Sequence, residues 1–491
     1  MLTDRSALLA ALRSKDPRFD GRFFVGISST GIYCRPICKA RQAKDENCNF
    51  FATAAEAEQA GFRPCLLCRP ELAPGYAMYQ GGAELAYLTA RHMEEHCGSE
   101  LRLPEVAERF GCTDRHLRRV FAQEYNTSPI QYLQTCRLLL AKNLLTDTAL
   151  SVTDVAMTAG FGSLRHFNAL FKKHYGLAPT QLRKKASGKQ KKQGEITLFL
   201  TYRPPYLWEP VLNFLDGRCI EGVEVVKGGK YMRTARMADV NGREFEGWIE
   251  VSHRPQKDAL FVSVSETLLP VLPQVLSRVR HLFDLRCDPQ IIYDALKVMN
   301  DIRPDLCVLG TRLPGSFDAF EMVTRAVLGQ QITVKAAGTL AGRIAQTFGK
   351  PIKTDVEGLT HTFPTPDDIL ALDGEIEEHL GKLGVIAARS RTIEALARAF
   401  AQGAIEFGLC AQPENEIKKL MGIRGIGSWT AQYIAMRTME WPDAFLETDA
   451  GIKKALAPHT PKEMLEMSKA WHPWRSYATI NLWNSISEVQ A

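Results

Sequence analysis

Two stretches near the start of the chain, GIYCRPICKARQ (31–42) and GFRPCLLCRP (61–70), decide how the first segment folds. Each stretch carries a short-spaced cysteine pair, and about two dozen residues separate the pairs, as in a tetrahedral four-cysteine zinc site. A small segment with a poor apolar core gains folding free energy from such an ion. Cys48 lies between the pairs without a partner at ligand spacing, so it is not expected to bind metal. The pattern predicts one Zn²⁺, of structural or reactive function, held by Cys34, Cys38, Cys65 and Cys68.

Length and composition limit the class of protein. A chain of 491 residues is too long for one ordinary core, so roughly two to four domains are expected. No run of eighteen or more apolar residues occurs, which argues against a membrane span. The first twenty residues lack the long apolar stretch of a signal peptide, so the cytoplasm is the expected compartment. There, the twelve cysteines are expected to be metal ligands, catalytic thiols or core residues rather than disulfides.

Changes in composition divide the rest of the chain. Apolar residues recur at helical spacing from about Glu84 to Lys185, and RKKASGKQKKQG (183–194) is a basic, polar stretch typical of a linker. A strand-like alternation follows to about Val264. From Glu266 onward the helical pattern returns.

The helical segment contains an internal repeat. The stretch 103–133 aligns with 150–183, and in both copies a short helix, a glycine turn and a second helix follow one another, as in a helix-turn-helix. Ser163 and either Thr113 or Asp114 are the expected N-caps of the second helices. Basic second helices favour DNA binding in the major groove over two plain solvated hairpins. The residues expected to face DNA are Arg115, His116, Arg118, Arg119, Ser163, Arg165, His166 and Asn168.

The first 185 residues resemble the Ada family of DNA-methylation-damage response proteins. The resemblance rests on SSTGIYCRPICKAR (28–41) and AGFRPCLLCRP (60–70), followed by the AraC-type pair of helix-turn-helix units. It implies that Cys34, bound to zinc, accepts a methyl group from a methylphosphotriester in DNA. The PCHR motif of the O6-alkylguanine methyltransferase domain is absent, so that activity is not expected. Candidate phosphate contacts nearby are Lys39, Arg41, Arg63 and Arg69.

Charge supports this chemistry independently of the resemblance. Four thiolates on Zn²⁺ carry a net charge of −2, which repels an ionic phosphodiester but not a neutral methylphosphotriester. After transfer one ligand is a neutral thioether and the net charge falls to −1. Repulsion from DNA decreases, so affinity for DNA is expected to rise.

Near the C-terminus, LMGIRGIGSWTAQYIAMR (420–437) predicts a helix, a hairpin at Gly425 and Gly427, and a second helix. Backbone N–H groups at such a helix start can bind a DNA phosphate, although a plain turn would show the same glycines. Asp449 follows Gly427 by 22 residues, after a loop. This is the arrangement of helix-hairpin-helix DNA glycosylases.

Residues 195–491 resemble AlkA-type 3-methyladenine DNA glycosylases. The resemblance rests on LPGSFDAFEMVTRAVLGQQITV (313–334), GIGSWTAQYIAMR (425–437) and WHPWRSYATINLW (471–483), among other stretches. It implies that Asp449 supplies the negative charge for catalysis, although the residue could also be only an N-cap. Gln331 takes the position of the wedge that fills the gap left by a flipped nucleotide. The implied base pocket consists of Trp429, Tyr433 and Trp483, each of which could instead be plain core packing.

Two absences narrow the expected chemistry. Trp429 stands where bifunctional relatives carry a Schiff-base lysine, and an indole forms no imine, so base removal without strand cleavage is expected. After Cys307 the sequence holds only Cys410, too few thiols for an iron–sulfur cluster.

Together these patterns predict a multidomain, mainly α protein with α+β parts. The expected divisions are an Ada-like zinc domain (1–78), an AraC-type helix-turn-helix domain (84–184), a linker (185–194), an AlkA-like α+β domain (195–265) and a helix-hairpin-helix glycosylase domain (266–491). Its function would be methylation-activated transcription through Cys34, with RNA polymerase as partner, and hydrolytic excision of alkylated bases from double-stranded DNA through Asp449. The alternatives are a regulator with an inactive glycosylase-like clamp, a glycosylase with a structural zinc domain, and, remotely, a bifunctional lyase.

Overall fold

The computed structural model describes residues 5–74, 84–186, 195–408 and 411–487. The chain forms two compact units: Met1–Pro204 with Met237–Phe245 and Arg254–Ser277, and Pro205–Arg236 with Glu246–His253 and Arg278–Ala491. Most of the linker predicted at 185–194 lies outside the described residues. No helix in the described ranges is both long and apolar enough to cross a membrane.

The helices are α1 (Arg5–Ser14), α2 (Ala54–Gln59), α3 (Glu84–Glu95), α4 (Leu103–Arg109), α5 (Asp114–Tyr125), α6 (Pro129–Asp147), α7 (Val152–Thr158), α8 (Leu164–Tyr175), α9 (Pro179–Ala186), α10 (Trp208–Asp216), α11 (Leu272–Leu282), α12 (Pro289–Leu296), α13 (Ala319–Leu328), α14 (Val334–Phe348), α15 (Pro366–Leu370), α16 (Ile376–Gly381), α17 (Ala387–Ala401), α18 (Pro413–Met421), α19 (Ser428–Thr438), α20 (Ala450–Ala455), α21 (Pro461–Ser468) and α22 (Arg475–Ser487). The strands are β1 (Phe24–Ile27), β2 (Ile32–Cys34), β3 (Cys48–Phe51), β4 (Arg63–Pro64), β5 (Glu195–Thr201), β6 (Glu224–Lys227), β7 (Lys230–Ala238), β8 (Glu244–Arg254) and β9 (Ala259–Ser265). The structure confirms the expected mainly α, multidomain class with α+β parts.

A small sheet of order β3-β1-β2-β4 brings the two cysteine pairs together. Strands β2 and β4 are parallel neighbours, with Tyr33 opposite Pro64. Because parallel strands end at the same edge, Cys34 at the end of β2 lies beside Cys65, which directly follows β4. The register of this short pair therefore sets the position of the metal ligands.

The internal repeat is confirmed as two helix-turn-helix units, α4–α5 and α7–α8, joined by the long helix α6. Gly111 and Gly160 occupy the left-handed region at the two turns, with φ of 65° and 81°. The second helices bury aromatic side chains at matching positions, Phe121 in α5 and Phe171 in α8. The same core position recurs in each copy, as the alignment requires.

The region 195–265 combines strands with helix α10, as expected. In the first unit β5 and β9 pair antiparallel, with Leu198 opposite Val262. In the second unit β6 and β7 form a hairpin around Gly228 and Gly229, which both have positive φ. Two left-handed residues suit the tight turn that matches strand twist.

The helical core of the second unit supports the predicted hairpin between α18 and α19. Buried side chains of α13, α17 and α19 pack in one apolar cluster, which includes Val323, Leu396 and Ile434. Gly425 has φ of 96°, and a Cβ there would lie 2.3 Å from Oγ1 of Thr392. The hairpin therefore needs glycine for both conformation and space.

Candidate metal centre and active site

Four sulfur atoms cluster at the end of the first sheet. The Sγ atoms of Cys34, Cys38, Cys65 and Cys68 all lie within 4.8 Å of one another. Ligands about 2.3 Å from a tetrahedral zinc ion would stand about 3.8 Å apart, so the cluster fits the ion. Hydrogen bonds with the other three sulfurs raise the pKa of the Cys34 thiol, so a cation is required to hold all four as thiolates.

Backbone donors complete the centre. The N–H of Arg35 donates to Sγ of Cys68 at 3.3 Å, and the N–H of Leu67 donates to Sγ of Cys65 at 3.4 Å. The sulfurs therefore have both the number and the surroundings of a zinc site, and the domain binds one Zn²⁺. Among the described residues Cys48 is not part of this cluster, as expected.

Arg35 has a role that the sequence did not indicate. Its buried guanidinium forms an ion pair with Asp20 and donates to the carbonyl of Cys68 at 3.2 Å. The pair ties the loop after β2 to the loop of the second cysteine pair. The tripeptide Cys-Arg-Pro gives no local indication that its arginine pairs with an aspartate elsewhere in the chain.

The candidate phosphate contacts separate into two groups. Lys39, Arg41 and Arg63 are exposed, so they remain available to DNA. The expectation for Arg69 was wrong, because this residue forms ion pairs with Glu71 and Asp147. It also hydrogen-bonds to side chains of α6, so its guanidinium is occupied inside the protein.

Helix α6 holds the zinc loop through a buried ion pair. Lys142 bonds to Glu71, with side chains 1% and 2% exposed, and its Nζ lies 3.4 Å from the carbonyl of Cys65. Burial would raise the pKa of Glu71, but Lys142 and Arg69 hold that pKa below its ordinary value. The metal loop and the helix-turn-helix domain are thus joined by charges that have no access to water.

The second helices of the two repeats present exposed polar faces. Oγ1 of Thr113 accepts from the N–H of His116, and Oγ of Ser163 accepts from the N–H of His166, each at 3.2 Å. Both N-caps are confirmed, with Thr113 rather than Asp114 in the first copy. All of the residues predicted to face DNA are exposed, namely Arg115, His116, Arg118, Arg119, Ser163, Arg165, His166 and Asn168.

Two of these side chains have neighbours on their own helix. Arg118 pairs with Asp114 at 3.0 Å, and Arg119 contacts the ring of His116 at 3.2 Å. Exposed pairs of this kind are weak. They leave the helix face open to a competing DNA phosphate or base edge.

In the second unit, a cavity of about 1030 Å³ collects most of the residues expected there. Its lining includes Gln331, Gly425, Trp429, Tyr433, Asp449 and Trp483. Gly427 is instead the N-cap of α19. Gln331 is exposed and has φ of 56°, an uncommon conformation for a residue other than glycine.

Asp449 is held by four N–H donors. Oδ1 accepts from the backbone of Gly451 and Ile452 at 2.8 and 3.0 Å, which confirms the N-cap of α20, and from Nε1 of Trp483 at 2.9 Å. Oδ2 accepts from Nε1 of Trp429 at 3.2 Å. The two indoles fix the plane of the carboxylate, and Oδ2 can still accept a further hydrogen bond.

Aromatic rings form the cavity wall. Trp429 stacks on Tyr433 with ring centroids 5.2 Å apart, and Trp483 lies 6.3 Å from Tyr433. A Cβ on Gly451 would lie 2.9 Å from the Trp483 ring, so this glycine permits the close approach of Trp483 to Asp449. These rings are placed to stack on a flat ligand as well as on one another.

Sequence reasoning missed three polar side chains of the cavity. Gln330 donates through Nε2 to the Gly425 carbonyl at 2.9 Å and to Thr430 at 3.1 Å, which joins the loop before α14 to the hairpin. Arg218 and Arg325 also line the cavity. The paired glutamines in LGQQITV were a local indication of Gln330, whereas nothing in the sequence indicated that Arg218 and Arg325 lie at this cavity.

Comparison with protein families gives four successive matches. They are the metal binding domain of Ada (residues 7–71), a helix-turn-helix domain (106–185), the AlkA N-terminal domain (197–318) and the HhH-GPD superfamily of base excision DNA repair proteins (324–472).

Individual relatives match either nearly the whole chain or only one part of it. A probable bifunctional transcriptional activator/DNA repair enzyme AlkA of Mycobacterium tuberculosis is 34% identical, over 97% of this chain and 95% of its own. DNA-3-methyladenine glycosylase 2 of Escherichia coli is 34% identical over 58% of this chain and 95% of its own. The bifunctional activator/repair enzyme AdaA of Bacillus subtilis is 30% identical over 37% of this chain and 83% of its own. The chain therefore belongs to the family of bifunctional transcriptional activator/DNA repair enzymes that the mycobacterial protein represents.

Proposed function

We propose that this protein is a cytoplasmic DNA alkylation-response protein with two chemistries. The second unit hydrolyses the N-glycosidic bond of alkylated bases such as 3-methyladenine, and Cys34 accepts a methyl group from DNA methylphosphotriesters. Methylation strengthens DNA binding by the two helix-turn-helix units and activates transcription with RNA polymerase as partner. The observation that carries the proposal is the Asp449 carboxylate, held by two indole and two backbone N–H groups in an aromatic cavity.

The excision step follows from the charge of the substrate. An alkylated purine is cationic when the alkyl group is on N3 or N7, so the C1′–N bond breaks with its electron pair neutralising the base. Positive charge then develops on the sugar, where Oδ2 of Asp449 stabilises it and orients the attacking water. Trp429 and Tyr433 stack on the flipped base, and Gln331 fills its place in the duplex.

Trp429 limits the reaction to hydrolysis. A lysine at this position of α19 would attack C1′ and cleave the strand after base release. The indole cannot do so, and its N–H is bonded to Asp449. The proposed product is therefore an intact strand with an abasic site.

Asp449→Asn tests the excision proposal. The amide retains the N-cap but not the charge, so single-turnover release of 7-methylguanine from a duplex should fall by about 10²–10³-fold. Asp318→Asn is a matched control, because Asp318 also caps a helix of the second unit but lies outside the cavity lining. Equal release by the wild type and Asp449→Asn would refute the assignment, and release by neither would favour an inactive clamp.

The methyl-transfer step uses the first domain. Zn²⁺ supplies the positive charge that keeps the thiols deprotonated at neutral pH. Sγ of Cys34 attacks the methyl carbon; an S–C bond forms, the C–O bond breaks, and its electron pair leaves with the phosphodiester. Lys39, Arg41 and Arg63 are exposed, and in this proposal they contact the flanking phosphates.

Mass analysis tests this second chemistry. The zinc-loaded protein is incubated with methylated duplex DNA and digested, and each cysteine peptide is weighed. One added methyl group on the Cys34 peptide, absent with untreated DNA, is the expected result. The Cys48 peptide is an internal control, and an unmodified Cys34 with zinc retained would leave this domain a structural role only.

A further inference from the structure

The loop between α13 and α14 is held at Gln330. The side-chain Nε2 donates to the carbonyl of Gly425 in the hairpin at 2.9 Å and to Oγ1 of Thr430 on α19 at 3.1 Å. An amide nitrogen carries two hydrogens, so both bonds form together. The guanidinium of Arg389 on α17 donates to the backbone carbonyl of the same glutamine. Gln330 therefore joins the loop to the hairpin and to α17 at once.

The hairpin and α17 are also joined directly. Oγ1 of Thr392 on α17 lies 2.9 Å from the carbonyl oxygen of Arg424 and donates to it. Gly425 allows this approach, since a Cβ there would lie 2.3 Å from the same hydroxyl oxygen. The loop, the hairpin and α17 thus form a closed triangle of contacts, in which no element can move without breaking a bond to one of the others.

Gln331 follows directly and is held differently. Its side chain is exposed and makes no hydrogen bond to the part of the chain that the structure describes. Its φ of 56° is a conformation that a residue other than glycine keeps only where the surrounding structure imposes it. The bonds of Gln330 fix the loop on one side, and on the other side Thr333 caps α14 through the N–H of Ala336 at 3.2 Å. Gln331 is therefore an unoccupied side chain on a loop that is fixed at both ends.

A wedge must work against the stacking and pairing of the base that it displaces. That cost is largest for a paired base and smallest for a base that is already unpaired. A loop that gave way would move back from the duplex instead of displacing the base. In the proposed complex the hairpin N–H groups bind a backbone phosphate, so a wedge fixed to the hairpin keeps its place relative to the strand.

We propose that Gln330 is a positioning residue, which fixes the wedge Gln331 relative to the hairpin and so promotes extrusion of a paired base. The inference rests on the proposed glycosylase function and on the wedge role of Gln331 within it. Gln330 acts through Gln331, so its effect belongs to the step that unpairs the base. Cleavage of the glycosidic bond at Asp449 does not depend on it.

Gln330→Met tests the proposal, because it keeps the length of the side chain and removes the amide. Single-turnover release of 7-methylguanine is measured from two duplexes, with the lesion opposite cytosine or opposite a stable abasic-site analogue. Release from the paired site should fall by about tenfold or more, since two hydrogen bonds are lost, and release from the unpaired site by less than about twofold. An equal fall for both duplexes, or no fall for either, would overturn the proposal.

A control variant shows whether any lost glutamine has this effect. Gln290 also donates through Nε2, to Asp294 at 3.2 Å, but it lies outside the cavity lining. Gln290→Met should leave release from both duplexes unchanged. A selective loss at the paired site in this variant would contradict the assignment to Gln330.

A double-mutant cycle tests whether Gln330 acts through its neighbour. Gln331→Ala, at an exposed position, should show the same selective loss at the paired site. Adding Gln330→Met should lower that rate no further, because a positioning residue has no effect once the wedge is gone. Losses that multiply would overturn the proposal. Wild-type protein that releases 7-methylguanine from neither duplex would instead refute the glycosylase function itself.

Discussion

At the scale of single residues, Asp449 caps a helix and, in the proposed reaction, also supplies the negative charge. Its Oδ1 caps α20 and accepts from Trp483, whereas Oδ2 has one donor, Trp429. The capping bonds fix the carboxylate before any substrate arrives. Such preorganisation is effective in catalysis because no group has to reorient as charge develops.

Trp483→Phe should therefore reduce catalysis while keeping an aromatic wall. A hydrogen bond to a charged group contributes about 1.5–3 kcal/mol, so the excision rate is expected to fall by about tenfold or more. Trp208→Phe is the matched control, since its indole N–H also bonds, to the Gly229 carbonyl at 3.3 Å, but away from the cavity lining. An equal fall in the excision rate of both variants would contradict this prediction, because it would show a general effect of removing an indole.

At the scale of elements, α6 does more than connect the two helix-turn-helix units. Its Lys142 and Asp147 bind Glu71 and Arg69 in the loop that follows the second cysteine pair. The zinc loop is thus attached to the helix that joins the two helix-turn-helix units. Buried pairs of this kind are costly to break, because one charge is left without a partner.

Lys142→Met tests this attachment. With Glu71 left to Arg69 alone, the free energy of unfolding of the first unit at pH 7 should fall by up to about 3–5 kcal/mol, measured by urea titration. Adding Glu71→Gln should restore part of the loss, because the buried carboxylate that lost Lys142 is then removed. Arg118→Met, which breaks an exposed ion pair, is the control. An equal fall in the free energy of unfolding for both variants would contradict the stabilising role of the Lys142–Glu71 pair.

Acid should weaken the same attachment. The folded-state pKa of Glu71 is lower than its unfolded-state pKa of about 4.3. Its carboxylate therefore contributes to the free energy of unfolding above pH of about 4.3, and this contribution is lost as the pH falls through the lower folded-state pKa. Lys142→Met should lose stability less steeply than the wild type over that acidic range. Parallel curves would show that Lys142 does not stabilise the charged form of Glu71.

At the scale of the whole molecule, the residues of the two proposed chemistries belong to separate compact units. The four zinc ligands lie in the first unit, and Asp449 with its cavity lies in the second. Metal binding stabilises only the part that folds around the ligands. The structure therefore favours independent responses of the two activities to loss of zinc.

A chelator tests that independence. Removal of zinc should lower the melting temperature of the first unit in calorimetry and abolish methyl transfer to Cys34. The rate of 7-methylguanine excision should change by less than about twofold, because the cavity lining includes none of the four cysteines that bind zinc. Loss of excision on chelation, restored by zinc, would mean that the second unit depends on the first.

The sequence by itself determined the features that depend on local spacing. Ligand pairs, paired turn glycines, helix caps and the hairpin before Asp449 each involve residues close in the chain, so their patterns predicted the zinc site, the repeat and the family. Only the tertiary structure decided which distant polar groups meet. It paired Arg69 with α6, joined Gln330 to the hairpin, and brought Arg218 and Arg325 to the cavity wall. Such partners are chosen by the packing of elements far apart in sequence, where buried charges and donors must find acceptors, and no short motif encodes that choice.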